Sequence, residues 1–175
     1  MLPVLTTPRL RLRPANDADI DAVWRMLVLP DVRRYLCDDV VLPRETVAGL
    51  MRDTHSHAGM GVWIAERTGG FAGIAVLKPV PQVLVDLVPM LAGEIEPTIA
   101  LLPPLWRQGL ASEMLGAVLA HGFTTLALPR IAAVCDAPNT GSARMLSRAG
   151  FRETGAFPGV AYRIRTWTLE PGANG

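Results

Sequence analysis

Cysteine and long apolar runs are both scarce in this sequence. Only Cys37 and Cys135 are present in 175 residues, far apart and without a C-x-x-C spacing. We therefore expect neither a disulfide framework nor a zinc site, and Cys135, inside an apolar strand, should be inert rather than nucleophilic. No window approaches the roughly 18 uninterrupted apolar residues of a membrane-spanning helix, and arginines interrupt the place where a signal peptide needs its apolar core. We expect a cytoplasmic protein without a membrane partner.

Net charge is equally small, at +1 from 17 basic and 16 acidic residues. That balance gives no electrostatic reason to expect a nucleic-acid partner. Only Lys78 is a lysine and the other basic residues are arginines. We interpret this preference as a bias in amino-acid usage and infer no function from it. His55 and His57 have no third ligand at a suitable spacing, so no metal site is predicted.

The chain does have enough apolar sequence to build a folded core. Half of its residues are hydrophobic and 19% are charged, a balance typical of a folded globular protein. The chain contains neither an internal repeat nor a linker. We therefore expect one domain over residues 1–175, with residues 170–175 as a disordered tail.

Strand-like and helix-like patterns alternate along the chain. Apolar alternation predicts strands at residues 9–13, 61–67, 71–79, 94–102, 130–136 and 160–171. Caps and helical spacing predict helices at residues 16–30, 43–55, 109–126 and 139–150. The segment at residues 80–93 is apolar but interrupted by two prolines, so a strand, a loop and a mobile lid all remain open. The alternation predicts an α/β fold, with one mixed sheet flanked by helices.

The stretch LWRQGLASEM joins the strand ending at Leu102 to a helix beginning near Gly109. The first four amides of a helix have no partner inside it, and the helix dipole places about half a positive charge there. Gly109 and Ala111 remove side-chain bulk, so a phosphate could contact those amides directly, and Arg107 adds a cation. The stretch is neither a P-loop nor a G-x-G-x-x-G dinucleotide motif. A tight turn at Gly109 without any ligand is the alternative interpretation.

Residues 106–111, WRQGLA, resemble the Q/R-x-x-G-x-G/A signature of the GNAT superfamily of acetyltransferases. The Trp at the first position and the Ala-Ser-Glu that follows are similar to the Rim-type (RimJ/RimL-like) branch of ribosomal-protein N-terminal acetyltransferases. The opening TTPRLRLRPANDADIDAVW resembles the start of that branch. Its closing Asn-x-x-Ser-x-x-x-Leu-x-x-x-Gly-Phe motif is matched by Asn139, Ser142, Leu146, Gly150 and Phe151. The resemblance covers roughly residues 6–169 and is weakest at residues 80–93.

This resemblance implies the GNAT fold, a single mixed, mostly antiparallel, twisted sheet flanked by helices. In that fold the strand before the loop splays from its neighbour at a bulge, and the pantetheine arm of acetyl-CoA enters the gap. Pro97 is compatible with such a disruption because it lacks a ladder N–H. No metal is implied. The expected cofactor-binding residues are Ile99, Leu101, Trp106, Arg107, Gln108, Gly109, Leu110, Ala111, Ser112 and Asn139.

The same resemblance implies direct acetyl transfer from acetyl-CoA to a primary amine in a ternary complex, the acceptor being a protein N-terminus or a small molecule. Glu96 aligns with a glutamate that the branch often carries and is the expected general base, with Glu94 as the second choice. Ser142 is expected near the thioester sulfur as the acid for the leaving thiolate. We prefer it to Tyr162, which reads as a core residue. Pro97-Thr98 replaces the Gly-aromatic pair usual after that glutamate, so the acceptor stays unnamed.

Other interpretations stay open. The protein could be a catalytically silent acyl-CoA-binding or regulatory module, or an α/β protein whose loop binds some other phosphate. Asn139 and Ser142 could serve only as helix caps. Arg144 and Arg148 could meet the 3′-phosphate of the coenzyme or only solvent. Relatives are often dimers, so a homodimer contact or a lid at residues 83–90 is also open.

Overall fold

Eight strands and six α-helices make up the described part of the computed structural model, which is residues 2–54 and 57–172, without the side chains of residues 53 and 54. His55, weighed above as a metal ligand, lies outside it. The strands are β1 (Leu5–Thr6), β2 (Arg11–Pro14), β3 (Gly61–Arg67), β4 (Gly70–Pro79), β5 (Ile95–Leu101), β6 (Ile131–Asp136), β7 (Arg152–Phe157) and β8 (Ile164–Leu169). The helices are α1 (Ile20–Leu27), α2 (Pro30–Leu36), α3 (Arg44–Thr54), α4 (Gln82–Leu87), α5 (Leu110–Ala120) and α6 (Thr140–Arg148).

The strands form two antiparallel sheets. One has the order β1-β2-β3-β4-β5 and the other the order β6-β8-β7. Within the described residues no ladder joins β5 to β6, although the two strands remain neighbours. The predicted splay of the central strand pair is therefore confirmed, and it divides the predicted single sheet into two. β3 and β4 form a hairpin that turns through Thr68 and Gly69, whose φ angles of 51° and 79° suit a two-residue turn.

The first helical region differs from its prediction. Asn16 caps it, in a capping box with Asp19, but a 3₁₀ turn over Asp17–Asp19 precedes α1. Pro30 does not simply end this region, because it is the first residue of α2, a helix that the sequence analysis missed. Proline is well tolerated at that position, where its missing N–H would have no partner inside the helix.

The closing hairpin also differs from its prediction. β7 was missed because almost all of its residues are exposed or half-buried, so it lacks the alternation of buried apolar residues that signals a strand. Tyr162 was expected in the core of a strand, and this was wrong. It lies before β8 with 37% of its surface exposed, and its ring centroid is 5.9 Å from that of Tyr35.

Helices cover both sheets and place the start of α5 at the gap between them. Helices α1 to α3 pack on one face of the larger sheet around Val23 and Val47. One side of α5 packs on the other face through Met114, while Leu115 packs against Trp167 of the smaller sheet. The undecided segment at residues 80–93 is helical and covers the other face of the smaller sheet. No helix in the described ranges is long and apolar enough to cross a bilayer.

Candidate active site

The loop between β5 and α5 is braced by its own side chains. A 3₁₀ turn over Pro103–Leu105 leads into it. Trp106 Nε1 donates to the Leu101 carbonyl at 2.8 Å. Gln108 Nε2 donates to the Pro104 carbonyl at 3.0 Å. These bonds keep both side chains on the loop itself and leave the backbone N–H groups from Arg107 onward uncovered.

The backbone amides of this loop and of the first turn of α5 are available to a ligand. Arg107 and Gly109 take left-handed angles, with φ of 61° and 78°, as in backbone turns that make successive N–H groups converge. Six consecutive amides, from Arg107 to Ser112, donate to no acceptor in the described residues. The first amide of the turn that does donate is that of Glu113, to the Gly109 carbonyl at 3.2 Å. Together with the positive end of the helix dipole, the six form a cradle for an anion such as a diphosphate.

Two cations that the sequence analysis did not consider border this cradle. A Cβ built on Gly109 would lie 3.3 Å from Arg9 Nη2. The Nε of Arg9 in turn donates to Glu113 at 2.5 Å. Arg67 Nη1 donates to Gln108 Oε1 at 2.9 Å. Alternation along the strand predicted at residues 9–13 indicates that Arg9 points away from the core. Its position beside the cradle depends on how α5 packs.

Strand β5 presents an unpaired edge to the gap. Its ladder with β4 runs without a register shift, and Pro97 lies opposite Leu77. The bulge expected with Pro97 is therefore absent from this ladder, and Pro97 lies on a strand at the edge of its sheet, where a residue without an N–H is tolerated. Ile99 and Leu101, expected beside the pantetheine arm, both belong to this strand. The side chain of Ile99 contacts the cores of both sheets.

An ion pair links the starting ends of β5 and β6. Glu94 immediately precedes β5 and Arg130 immediately precedes β6. Arg130 Nε donates to Glu94 Oε2 at 3.1 Å, and its Nη2 donates to Oε1. Both carboxylate oxygens of Glu94 are occupied in this pair, so the geometry favours Glu96 over Glu94 as a base.

Glu96 is a buried carboxyl on β5, with 5% of its surface exposed. Lys78 Nζ, on β4, lies 3.7 Å from Glu96 Oε1. Burial raises the pKa of Glu96 above its ordinary value of 4.5, and the Lys78 ammonium opposes this rise without cancelling it. A carboxyl with a raised pKa suits general-base chemistry near neutral pH.

The start of α6 combines capping with free polar groups. Asn139 Oδ1 accepts a hydrogen bond from the Ser142 amide at 3.1 Å, so the predicted cap is present. Asn139 Nδ2 and Ser142 Oγ make no hydrogen bond within the part of the chain that the structure describes. The cap therefore leaves both groups able to contact a ligand.

A cavity of about 420 Å³ opens between α5 and α6. Ser112 and Gly116 line it from α5, and Met145 and Arg148 line it from α6. Because Ser112 also belongs to the cradle, the cavity continues directly from the anion site. Arg144 is exposed and does not line it. Of the two arginines weighed for a second phosphate, Arg148 is the one that shares this cavity with Ser112.

The other face of the gap carries aromatic and acidic groups. Asp136 ends β6 beside Cys135, which packs on the α5 side, so strand alternation directs Asp136 to the opposite face. Burial, and next the negative charge of Asp38, raise the pKa of Asp136. Tyr35 and Tyr162 join α2 to the loop before β8 on this side of the molecule. These contacts link distant parts of the chain, so no local sequence signal could have found them.

The remaining candidates belong to the core. Cys135 is buried and burial raises the pKa of its thiol, which disfavours the nucleophilic thiolate. His121 Nε2 lies 2.7 Å from the Gly59 carbonyl, and its ring meets Trp63 edge-on. No group of three or more side chains able to hold a metal ion occurs in the described ranges.

Comparison with known proteins decides the family. Residues 9–152 match the family described as Acetyltransferase (GNAT) domain. The chain belongs to the GNAT acetyltransferase family. This acetyltransferase is 27% identical to the uncharacterized N-acetyltransferase YoaA of Bacillus subtilis over 181 residues, which cover 95% of the chain and 92% of the relative. The predicted family and enzyme class are confirmed.

Solved structures of similar shape agree with the GNAT fold. The ribosomal L7/L12 α-N-protein acetyltransferase RimL, in complex with coenzyme A, matches with a TM-score of 0.77 at 16% identity, covering 98% of this chain and all of that one. The spermidine N-acetyltransferase of Vibrio cholerae, in complex with CoA and spermine, matches with a TM-score of 0.76 at 15% identity, covering 94% and 96%. At these identities the likeness shows a shared fold.

Proposed function

We propose that this GNAT acetyltransferase transfers the acetyl group of acetyl-CoA to a primary amine by direct attack, with both substrates bound together. One observation carries the proposal. The six backbone N–H groups from Arg107 to Ser112 donate no hydrogen bond within the described residues, and they lie at one end of the unpaired β5 edge. A diphosphate fits such amides, and an extended arm can pair with a free strand edge. The presence of CoA in the RimL and Vibrio cholerae structures supports a CoA thioester as the donor.

Each part of the donor then has residues to hold it. The diphosphate is bound by the consecutive backbone amides of Arg107, Gln108, Gly109, Leu110, Ala111 and Ser112. Trp106 braces the loop. The backbone of Ile99 and Leu101 pairs with the pantetheine arm, and Asn139 Nδ2 donates to it. Arg148 lies beyond the diphosphate, in the cavity next to Ser112.

The reaction needs a neutral amine, because an ammonium ion has no lone pair with which to attack. Glu96 takes the ammonium proton, directly or through one water molecule. The amine nitrogen then forms a bond to the thioester carbonyl carbon, and the carbon–sulfur bond breaks as the tetrahedral intermediate collapses. Ser142 donates a proton to the leaving thiolate and receives the second proton lost by the attacking nitrogen, so that a neutral thiol and a neutral amide are released. The acetyl group moves in one transfer, without a covalent intermediate on the protein.

The acceptor side favours a cationic amine. Glu96 and Asp136 lie on that face and the charge of Asp38 acts on Asp136, so three carboxyl groups stand against the one ammonium of Lys78. RimL is a ribosomal L7/L12 α-N-protein acetyltransferase, and the Vibrio cholerae structure holds spermine. We propose a primary amine of this kind, either a protein N-terminus or a small polyamine-like molecule.

A thermal-shift screen with coenzyme A, acetyl-CoA, ATP and NAD tests the donor. We expect stabilisation by the first two, and a ligand at 100 times its Kd adds about 2.7 kcal/mol to the free energy of unfolding. Stabilisation by ATP or NAD alone would mean that the loop binds another phosphate compound.

Thiol release from acetyl-CoA, measured across a panel of amines and N-terminal peptides, tests the reaction. Release with at least one amine is expected, and Glu96→Gln should lose turnover while retaining affinity for coenzyme A. Coenzyme binding without release from any amine would instead favour a silent acyl-CoA-binding module. Unaltered turnover in Glu96→Gln would remove Glu96 from the mechanism.

A further inference from the structure

We propose that Lys78 is a positioning residue for Glu96, keeping the buried carboxylate ionised while leaving its oxygens free to accept a proton. The inference rests on the proposed role of Glu96 as the base. Lys78 itself need not touch either substrate, because it acts through the charge that it places beside Glu96.

Strand register brings the two residues together. Lys78 on β4 and Glu96 on β5 are direct antiparallel partners, so their side chains lie on the same face. Each is the single charged residue of its strand, Gly70–Pro79 or Ile95–Leu101. Lys78 keeps 28% of its side chain exposed, whereas Glu96 keeps 7%. The lysine ammonium can therefore remain hydrated while its charge acts on a carboxylate that is almost fully excluded from solvent.

The type of cation is what points to function. Every other side-chain ion pair within the described residues is made by an arginine, at 3.1 Å or less, whereas the Lys78–Glu96 pair spans 3.7 Å. An arginine fork can occupy both oxygens of a carboxylate, as Arg130 does at Glu94. The ammonium of Lys78 lies 3.7 Å from Oε1, longer than a full hydrogen bond, so it stabilises the anion mainly through its charge and leaves lone pairs of the carboxylate available. A base requires both properties.

Other charged groups near this face do not replace Lys78. Glu94 is neutralised by Arg130, and Asp38 acts on Asp136. In the described part of the chain, burial and Lys78 are the influences on the pKa of Glu96. Removal of the lysine charge should therefore raise that pKa further, and the acid limb of the rate profile should follow.

The test measures kcat/KM for thiol release against pH in wild type, Lys78→Met and Lys78→Arg. For Lys78→Met we expect the acid limb to move up by about one pH unit or more, with a high-pH plateau close to wild type. For Lys78→Arg we expect no upward move of the limb but a lower plateau, because the guanidinium occupies the carboxylate oxygens. Arg130→Met is the matched control, since it removes the cation from Glu94, and its limb should stay in place.

A double variant separates positioning from a structural role. If Lys78 acts through Glu96, adding Lys78→Met to Glu96→Gln should leave the residual rate unchanged. A further loss in that background, or a Lys78→Met profile that superimposes on wild type, would overturn the proposal. A limb that moves in Arg130→Met instead would transfer the role of base to Glu94.

A readout without substrate distinguishes this inference from the proposed function. The carboxyl carbon of Glu96, assigned in a ¹³C spectrum by its absence in Glu96→Gln, can be titrated directly. We expect its midpoint to rise in Lys78→Met and not in Arg130→Met. An unchanged midpoint overturns the inference even in an active enzyme, whereas wild type that releases no thiol with any amine overturns only the proposed reaction.

Discussion

Asn139 accepts a hydrogen bond from the Ser142 amide through Oδ1, at 3.1 Å, while its Nδ2 has no acceptor in the described residues. One side chain can thus cap α6 and still donate to a ligand. Asn139→Ala should lose about 1 kcal/mol of stability, and Asn139→Asp, which keeps the capping oxygen, should lose little. Both should raise the KM for acetyl-CoA, because both lack the side-chain NH₂. A wild-type KM in the aspartate variant would reduce Asn139 to a cap.

Gly109 should tolerate no side chain. Its φ is 78°, and an added Cβ would lie 3.3 Å from Arg9 Nη2. Gly109→Ala should cost about 1–2 kcal/mol for the left-handed backbone and should weaken coenzyme binding in a thermal-shift assay. Gly49→Ala is the control, because Gly49 lies in α3 with no atom near its would-be Cβ. That variant should gain about 0.5–1 kcal/mol and bind coenzyme normally.

Ser142 and Tyr162 can be compared as acids for the leaving thiolate. Ser142→Ala should lower kcat by about a hundredfold, with little change in stability, because the cap uses the Ser142 amide rather than its hydroxyl. Tyr162→Phe should leave kcat near wild type, since Tyr162 stands exposed against Tyr35. Steady-state kinetics of both variants decide the matter, and the opposite ranking would assign the acid to Tyr162.

Glu96 should make the enzyme less stable as the pH rises. Its folded-state pKa is raised by burial, so the folded protein binds a proton that the unfolded chain has already lost above 4.5. Stability from this group is complete below 4.5 and is lost as the pH rises through the folded pKa. Glu96→Gln should therefore have the higher Tm at neutral pH, and the difference should shrink toward about pH 4. A Tm difference that is the same at every pH would contradict this linkage.

Asp19 should show the opposite dependence. Arg13 donates to its two oxygens at 2.8 and 2.6 Å and holds the pKa of Asp19 below its ordinary value of 3.8. Stability from this group is present above 3.8 and is lost as the pH falls through the folded pKa. Asp19→Asn should cost about 2 kcal/mol at neutral pH in urea unfolding, and less in acid. Asp17→Asn, at an exposed pair with Arg52, is the control and should change little.

Features that depend only on residues close together in the sequence could be predicted from the sequence. The unpaired amides around the start of α5, the glycine that precedes this helix and the cap at Asn139 follow from helix ends, which obey local rules wherever they occur. Pro97 was compatible with a disruption of the strand pairing because it lacks an N–H, and its strand does lie at the edge of a sheet. The bulge expected with it was not found, because whether a ladder shifts register depends on the partner strand.

Features that join distant segments could not be read in the same way. α2 was missed because Pro30 can start a helix as well as end one, and β7 was missed because it buries too little to show a period of two. The positions of Arg9 beside Gly109 and of Tyr162 beside Tyr35 depend on how helices pack on the sheets.

The amino-acid order alone specified the run of free amides from Arg107 to Ser112, because the availability of such backbone donors depends on a short local stretch. The acid–base chemistry was decided only by folding. Glu96 becomes a candidate base because burial raises its pKa, and Lys78 can oppose that rise because antiparallel register places it directly opposite. Burial and register are properties of the assembled sheets, and no single segment of the chain contains either.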